Sequence, residues 1–288
     1  MKAAPFAYCR PASVHEAVSV LAEGDAKVLA GGQSLVPVLA MRLGRPGTLV
    51  DITALPGLDA LEVTGGELRI GAAVRQRRVE RCSEAASVPL IGRAMPFVGH
   101  RELRSRGTVC GSLAHADPAA ELPAVAACLD AVLEVAAPSG PREVPATEFF
   151  AGAMTTVVGA DELLAAVRLP VSGPGEGFGF AEIARRHGDF ALAGVVTRVR
   201  CTRGTLSDAR LVAFGVSDRP VVRDVTHLLS EGLDATGSTE AGLRPAADRL
   251  AAELVDTSGD SHGSTGYRAR LLGVLAAREL VRAWEAAR

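Results

Sequence analysis

Residues 27–43 read KVLAGGQSLVPVLAMRL: an apolar run, two glycines, an amide and a hydroxyl, then a second apolar run with a proline near its start. The first run suits a short buried strand. The second suits a helix, because proline in a first turn gives up only an amide that has no partner there. Gly31-Gly32 costs backbone entropy, so the turn has a use for bare backbone. The spacing predicts a strand–turn–helix unit that exposes a run of backbone N–H groups, with Gln33 or Ser34 capping the helix. Such a turn suits phosphate, through free amides and the helix dipole. It is neither a G-x-G-x-x-G fingerprint nor a Walker A loop, and no acidic residue sits at the Rossmann distance. Alone, it reads more simply as a tight turn without a ligand.

Working outward, Ser13 and Glu16 have capping-box spacing at the head of a helix that stops at Gly24, and TLVDIT (48–53) returns as a strand. Residues 1 to about 53 thus form a small α/β unit. LEVTGGELRIGAAV (61–74) is a hairpin around Gly-Gly, followed by helical stretches at 74–84 and 88–100. A polar, glycine-bearing passage at 101–123 leads into the apolar helix 120–131, a hairpin at 131–146 and a strand ended by Pro170. VSGPGEG (171–177) reads as a linker. Beyond it, 179–217 alternates like antiparallel strands, and the remainder is helical around a surface loop, 256–266.

The totals narrow the choices. A chain of 288 residues suits two domains, and its net charge of −2 gives no reason to expect nucleic acid or an anionic membrane as partner. Five scattered cysteines without a C-x-x-C read as reduced thiols, not as a disulfide frame, a zinc site or an iron–sulfur site. No signal peptide and no run long enough for a membrane span is apparent, so a cytoplasmic protein is expected.

The second candidate site is RGTVCGSLAHADPAAELP (106–123), which places Thr108, Gly111 and Ser112 in one polar loop ahead of His115, Asp117 and Glu121. Small residues would let a flat or anionic ligand approach the backbone, and Glu121 could accept from ribose-type hydroxyls. Without a ligand, Glu121 simply favours a helix dipole. His115 reads first as structural, and His187 equally as loop surface or ligand edge. The basic segment RQRRVER (75–81) reads first as a solvated face. The arginines of RELRSR (101–106) are as much surface as phosphate ligands, and Trp284 reads as packing.

AGGQSLVPVLAMRL (30–43), GTVCGSLAHADPAAELP (107–123) and ARRHGDFALAGV (184–195) together resemble the FAD-binding medium subunit of the molybdenum hydroxylases, a family that includes carbon monoxide dehydrogenase and the flavin domain of xanthine dehydrogenase. The likeness is collinear over essentially the whole chain, and FGVSDRPVVR (214–223) fits the family's C-terminal domain. It implies an α+β fold. A PCMH-type FAD-binding domain, 1–172, would comprise two α/β sub-domains (about 1–53 and 54–172). A C-terminal domain, 177–288, would hold a three-stranded antiparallel sheet and helices.

The resemblance further implies that the backbone of Gly31, Gly32, Gln33, Ser34 and Leu35 cradles the FAD pyrophosphate, with Leu29 and Ala30 also among the cofactor-binding residues. Thr108, Gly111 and Ser112 would form a second wall near ribityl and flavin, Ala114 and Asp117 would also bind the cofactor, and Glu121 would bond cofactor hydroxyls. Val98 and Leu164 would pack on FAD, and Phe190 would approach the isoalloxazine. No catalytic side chain and no metal ligand is implied. Molybdopterin and 2Fe-2S clusters would reside only in a large and a small partner subunit, in a dimer of heterotrimers. Reduced FAD would serve NAD, oxygen or a quinone.

Two departures from the family pattern stand out. Cys110 replaces a glycine, which predicts strain if that position has positive φ. Glu182 stands where several relatives carry lysine, which removes a cation from the flavin's surroundings unless Arg185 compensates. The alternatives are a free-standing FAD-dependent oxidoreductase and, from a different class, a nucleotide-binding or assembly protein without flavin chemistry.

Overall fold

The structure, a computed structural model, describes residues 2–234 and 237–288. Its first layer is a parallel three-stranded sheet in the order β1-β3-β2: β1 Ala7–Cys9, β2 Ala26–Leu29 and β3 Thr48–Asp51. Helix α1, Val14–Ala22, starts on the expected capping box. Ser13 Oγ accepts from the Glu16 amide at 3.1 Å, and Glu16 Oε2 accepts from the Ala12 amide at 2.6 Å. Helix α2, Leu35–Ala40, follows the glycine turn.

The second layer is an antiparallel five-stranded sheet. Hairpin β4 (Leu61–Thr64) and β5 (Glu67–Gly71) lies on one side, and β6 (Val132–Ala136) with β7 (Arg142–Pro145) on the other. The strand expected last in this half, β10 (Leu163–Pro170), runs down the middle between β5 and β6. A small ribbon of β8 (Phe150–Gly152) and β9 (Thr155–Thr156) precedes it. This half also holds α3 (Gln76–Arg81), α4 (Pro89–Ala94), α5 (Arg101–Arg104), α6 (Val109–His115), α7 (Glu121–Cys128) and the one-turn α8 (Ala146–Phe149); α6 and α8 pack on this sheet, α3 and α5 on each other, and α4 and α7 reach the strands of the C-terminal half. The passage expected to be one polar loop therefore contains two short helices. Gly111 and Ser112 sit inside α6, and Thr108 caps it.

The C-terminal half has the expected three long antiparallel strands, β11 (Glu176–Ile183), β12 (Ala193–Thr202) and β13 (Thr205–Phe214), with a short fourth, β14 (Val221–Asp224), at the edge. Helices α9 (Thr226–Gly232), α10 (Glu240–Leu254) and α11 (Thr265–Ala287) complete it. Gly177 and Gly179 let α11 lie directly on β11: a Cβ at Gly179 would be 2.5 Å from the Glu279 carbonyl oxygen. The opposite face of β11 points Phe178 and Phe180 into the core of the N-terminal half, where Val196, Val212 and Phe214 join them. Trp284 belongs to the separate core between the sheet and α10–α11, as packing. No helix among the described residues is long and apolar enough to cross a membrane.

Candidate cofactor site

The strand β2 ends at Leu29, and Ala30 carries the chain into Gly31-Gly32. Gly32 has φ +73, a conformation that L side chains rarely adopt. None of the amides of Gly31 through Leu35 donates to a protein acceptor among the described residues; the first helical bond is Val36 N to Gly32 O at 3.0 Å. Neither expected cap forms. Ser34 makes no capping bond, and Gln33 Nε2 turns back to donate to Gly31 O at 3.2 Å. The turn is left with a row of unspent donors.

The glycine at 31 serves a further purpose. A Cβ there would stand 2.5 Å from Arg106 O and 2.7 Å from Gly107 Cα, both backbone atoms. The first turn thus packs against the start of the second motif, and Gly111 lies against Ala30. Thr108 Oγ1 accepts from the Gly111 amide at 3.0 Å, which begins α6. Cys110 has ordinary negative φ in that helix, so the expected strain is absent. It is buried among apolar neighbours, and burial pushes its thiol up to about 12.

Residues without an expected role hold this second motif. The Gln76 amide donates to Gly107 O at 2.9 Å, Gln76 Nε2 donates to Thr108 O at 3.3 Å, and the Arg75 guanidinium donates to Arg106 O. The segment read as a solvated basic face is therefore partly a brace. Nothing within RQRRVER signals this, because the carbonyls it serves lie far along the chain. Arg104, 7 % exposed, pairs with Glu80 at 3.0 Å and donates to Val98 O at 3.3 Å and Gly99 O at 2.9 Å. It fixes the loop carrying Val98 and does not reach outward as a phosphate ligand would.

From the C-terminal half, the segment between β11 and β12 reaches that same loop. Gly188, at φ +83, lies against His100, and the His187 and Phe180 rings are 6.1 and 5.1 Å from Phe97. Phe190 is 69 % exposed. Arg185 is 3.7 Å from Asp189 and does not pair with Glu182. Asp117 Oδ1 accepts from the Ala119 amide at 2.9 Å, making a turn. Ala114 is exposed on α6, whereas Leu164 is buried in the core of the five-stranded sheet and presents no open surface. Glu121 opens α7 and is 6 % exposed; burial pushes its carboxyl up to about 7, and Asp117 adds to this. Burial and the charge of Glu121 push Glu182 up to about 8.

A cavity of about 410 Å³ lined by Thr147, Glu148, Phe150 and Arg219 shares no residue with either glycine motif. Among the described residues, no group of three His, Cys, Asp or Glu side chains is placed to hold a metal.

Comparison with known proteins accords with this geometry. A family model described as the FAD binding domain in molybdopterin dehydrogenase matches residues 4–172, and one described as the CO dehydrogenase flavoprotein C-terminal domain matches 178–283. The 6-hydroxypseudooxynicotine dehydrogenase complex subunit alpha of Paenarthrobacter nicotinovorans is 35% identical over 100% of this chain and 97% of its own length. The carbon monoxide dehydrogenase medium chain of Hydrogenophaga pseudoflava is 31% identical over 97% of each. The crystal structure of quinoline 2-oxidoreductase from Pseudomonas putida 86 superposes with a TM-score of 0.91 at 35% identity, covering 100% of this chain and 99% of that one.

Proposed function

The chain belongs to the FAD-binding medium subunits of the molybdenum hydroxylases, and on that premise we propose that it relays electrons from iron–sulfur clusters of a partner subunit to an external acceptor. It is an FAD-dependent oxidoreductase subunit. The acceptor is NAD, oxygen or a quinone, and the partners are a small 2Fe-2S subunit and a large molybdopterin subunit in a dimer of heterotrimers. The substrate is selected in the large subunit, and the complex works in the cytoplasm. Residues 1–172 act as the FAD-binding domain and 177–288 as the C-terminal domain.

The observation that carries this reading is the row of unspent amides at Gly31–Leu35, packed against the Arg106–Gly111 segment. These residues fit a flavin dinucleotide. The amides of Gly31, Gly32, Gln33, Ser34 and Leu35 would hold the pyrophosphate, as bare backbone beside a helix start does elsewhere. Leu29 and Ala30 would line its approach. Thr108, Gly111, Ser112, Ala114 and Asp117 would form the second wall. Glu121 would accept hydroxyl hydrogen bonds, Val98 would cover apolar surface, and Phe190 would face the ring system. When bound, FAD supplies the ability to exchange electrons singly with clusters and in pairs with an acceptor. The protein's share is to orient the cofactor, exclude water and set the surrounding charge. No side chain here is required to act as an acid or base on a substrate.

The test is an absorption spectrum of the purified chain before and after adding FAD, with the stoichiometry of released flavin. One FAD per chain, together with co-purification of iron–sulfur and molybdopterin subunits, is expected. Stoichiometric flavin on a chain that purifies without those subunits and turns over a small substrate by itself would favour a free-standing oxidoreductase instead. No flavin even in excess FAD would defeat both.

A further inference from the structure

The strand β11 presents alternate residues Phe178, Phe180 and Glu182 toward the N-terminal half. The two rings are in the shared core, Phe180 lying 5.1 Å from Phe97 and 5.9 Å from Phe214. Glu182 takes the next place in that row, paired across the sheet with Gly194, which has no side chain. Its Oε2 is shut off from solvent and has no hydrogen-bond partner among the described residues. The acid whose charge acts on it is Glu121, itself buried, whose carboxylate bonds, among the described residues, to no group beyond its own backbone N–H.

Among the described residues, Arg104 favours ionisation of Glu121 through its charge, but it is already committed to another carboxylate. Arg104 is engaged by Glu80, and Arg185 lies beside Asp189 and His262. On α4, Arg93 is exposed to solvent; on α11, Glu279 lies behind the sheet between Arg278 and Arg282. His187 packs edge-on to Phe97, and Asp117 adds a negative charge beside Glu121. Burial opposes ionisation of each acid, and a charged partner opposes it further, so at most one of the two ionises readily.

We propose that Glu182 faces the flavin cleft as an un-ionised carboxylic acid, a hydrogen-bond donor offered by the C-terminal domain, and that cofactor affinity depends on its keeping that proton. The inference rests on the FAD-binding reading above. FAD brings its own negative pyrophosphate to the site. A neutral Glu182 adds no repulsion, whereas an ionised one puts a second carboxylate beside Glu121. Once Glu182 loses its proton in the free protein, binding must take one up, and affinity falls by at most tenfold per pH unit.

The cofactor-free full-length chain is titrated with FAD from about pH 6.5 to 9, following flavin fluorescence, and by calorimetry in two buffers of different ionisation enthalpy. Affinity is expected to fall about five- to tenfold between neutral pH and pH 9, with net proton uptake on binding at the upper end. Glu182→Gln, neutral at every pH, should lose both the fall and the uptake. Glu121→Gln removes the neighbouring charge, so the fall should begin at lower pH, whatever its effect on affinity itself. Circular dichroism establishes that each variant is folded. Unchanged wild-type affinity across the range overturns the proposal, as does a slope that survives in Glu182→Gln. If FAD binds without proton linkage, the FAD-binding reading stands and this inference fails; if FAD does not bind at all, both fail.

Discussion

At Gly31 a single methyl group would force apart a pair of packed backbone segments. The clash would be with the Arg106 carbonyl and Gly107 Cα, which cannot rotate away as a side chain tip can. Gly31→Ala is therefore expected to cost about 1–3 kcal/mol, as overpacking does, and to weaken FAD binding at least tenfold, measured by thermal unfolding and flavin titration. Gly32→Val combines positive φ with a β-branched side chain next to Val36, and should abolish FAD retention through purification. Retained flavin at unchanged affinity would sink the placement of the pyrophosphate. Cys110 carries the opposite lesson. A glycine there would remove a buried side chain and loosen a short helix, at about 1–2 kcal/mol. Its thiol should resist alkylation in the native chain while Cys9 and Cys82, less buried, react first, as peptide mapping would show. The glycine pair can be read from sequence because it contradicts local propensity. The conformation at Cys110 cannot, because the backbone angle at that position depends on a helix that composition hides.

Helix α7 shows how an element joins the two halves. Glu121 at its start is coupled to Glu182, while just past its end Asp130, at φ +55, accepts from both terminal nitrogens of Arg198 at 3.2 Å and also from Arg210. Arg198 is 2 % exposed, and its other acid, Asp208, is 3.6 Å away. Asp130→Ala would leave that guanidinium buried with one distant partner, costing about 2–3 kcal/mol by urea unfolding, against little for loss of an exposed pair. Elements with strong local signals were legible. The capping box of α1 and the hairpin at Gly65-Gly66 fall where expected. The 101–123 passage was not, because its helices are too short to show periodicity and depend on distant groups such as Gln76 for their backbone partners. The Glu121–Glu182 pairing was equally hidden. Each acid is ordinary in its own neighbourhood, and only the fold brings them together.

Over the whole molecule, buried and half-buried acids of two kinds set the pH range of stability. Arg142 holds Glu162 below the usual carboxylate range; burial opposes the same effect at Glu80 and Glu134, but hydrogen bonds from Arg104 and Arg77, and from Arg69 and Arg168, prevail. These groups add stability above the unfolded value, about 4.3, and lose it as the pH falls through their lower folded values. Glu121 and Glu182 act in the other direction. The folded chain keeps their protons longer, so stability declines as pH rises from the unfolded value toward about 7 and about 8. Each contributes a slope of at most about 1.4 kcal/mol per pH unit. The cofactor-free chain should melt highest near about pH 5 and progressively lower toward pH 8, and Glu182→Gln should flatten the alkaline side. A melting temperature constant from pH 5 to 8 would contradict the burial of this pair.

The row of Phe178 and Phe180 has a consequence for how such chains can recombine. Although the family models divide near residue 175, the side chains of β11 complete the core of the preceding half. A crossover in the linker between two relatives would join each N-terminal half to rings shaped for another. A crossover beyond β11 would instead part it from β12 and from α11, so chimeras should lose stability at either joint, and a protease nick in the linker should leave two fragments that remain associated. Because β11 serves both cores at once, the unit that can be inherited intact is the two halves together.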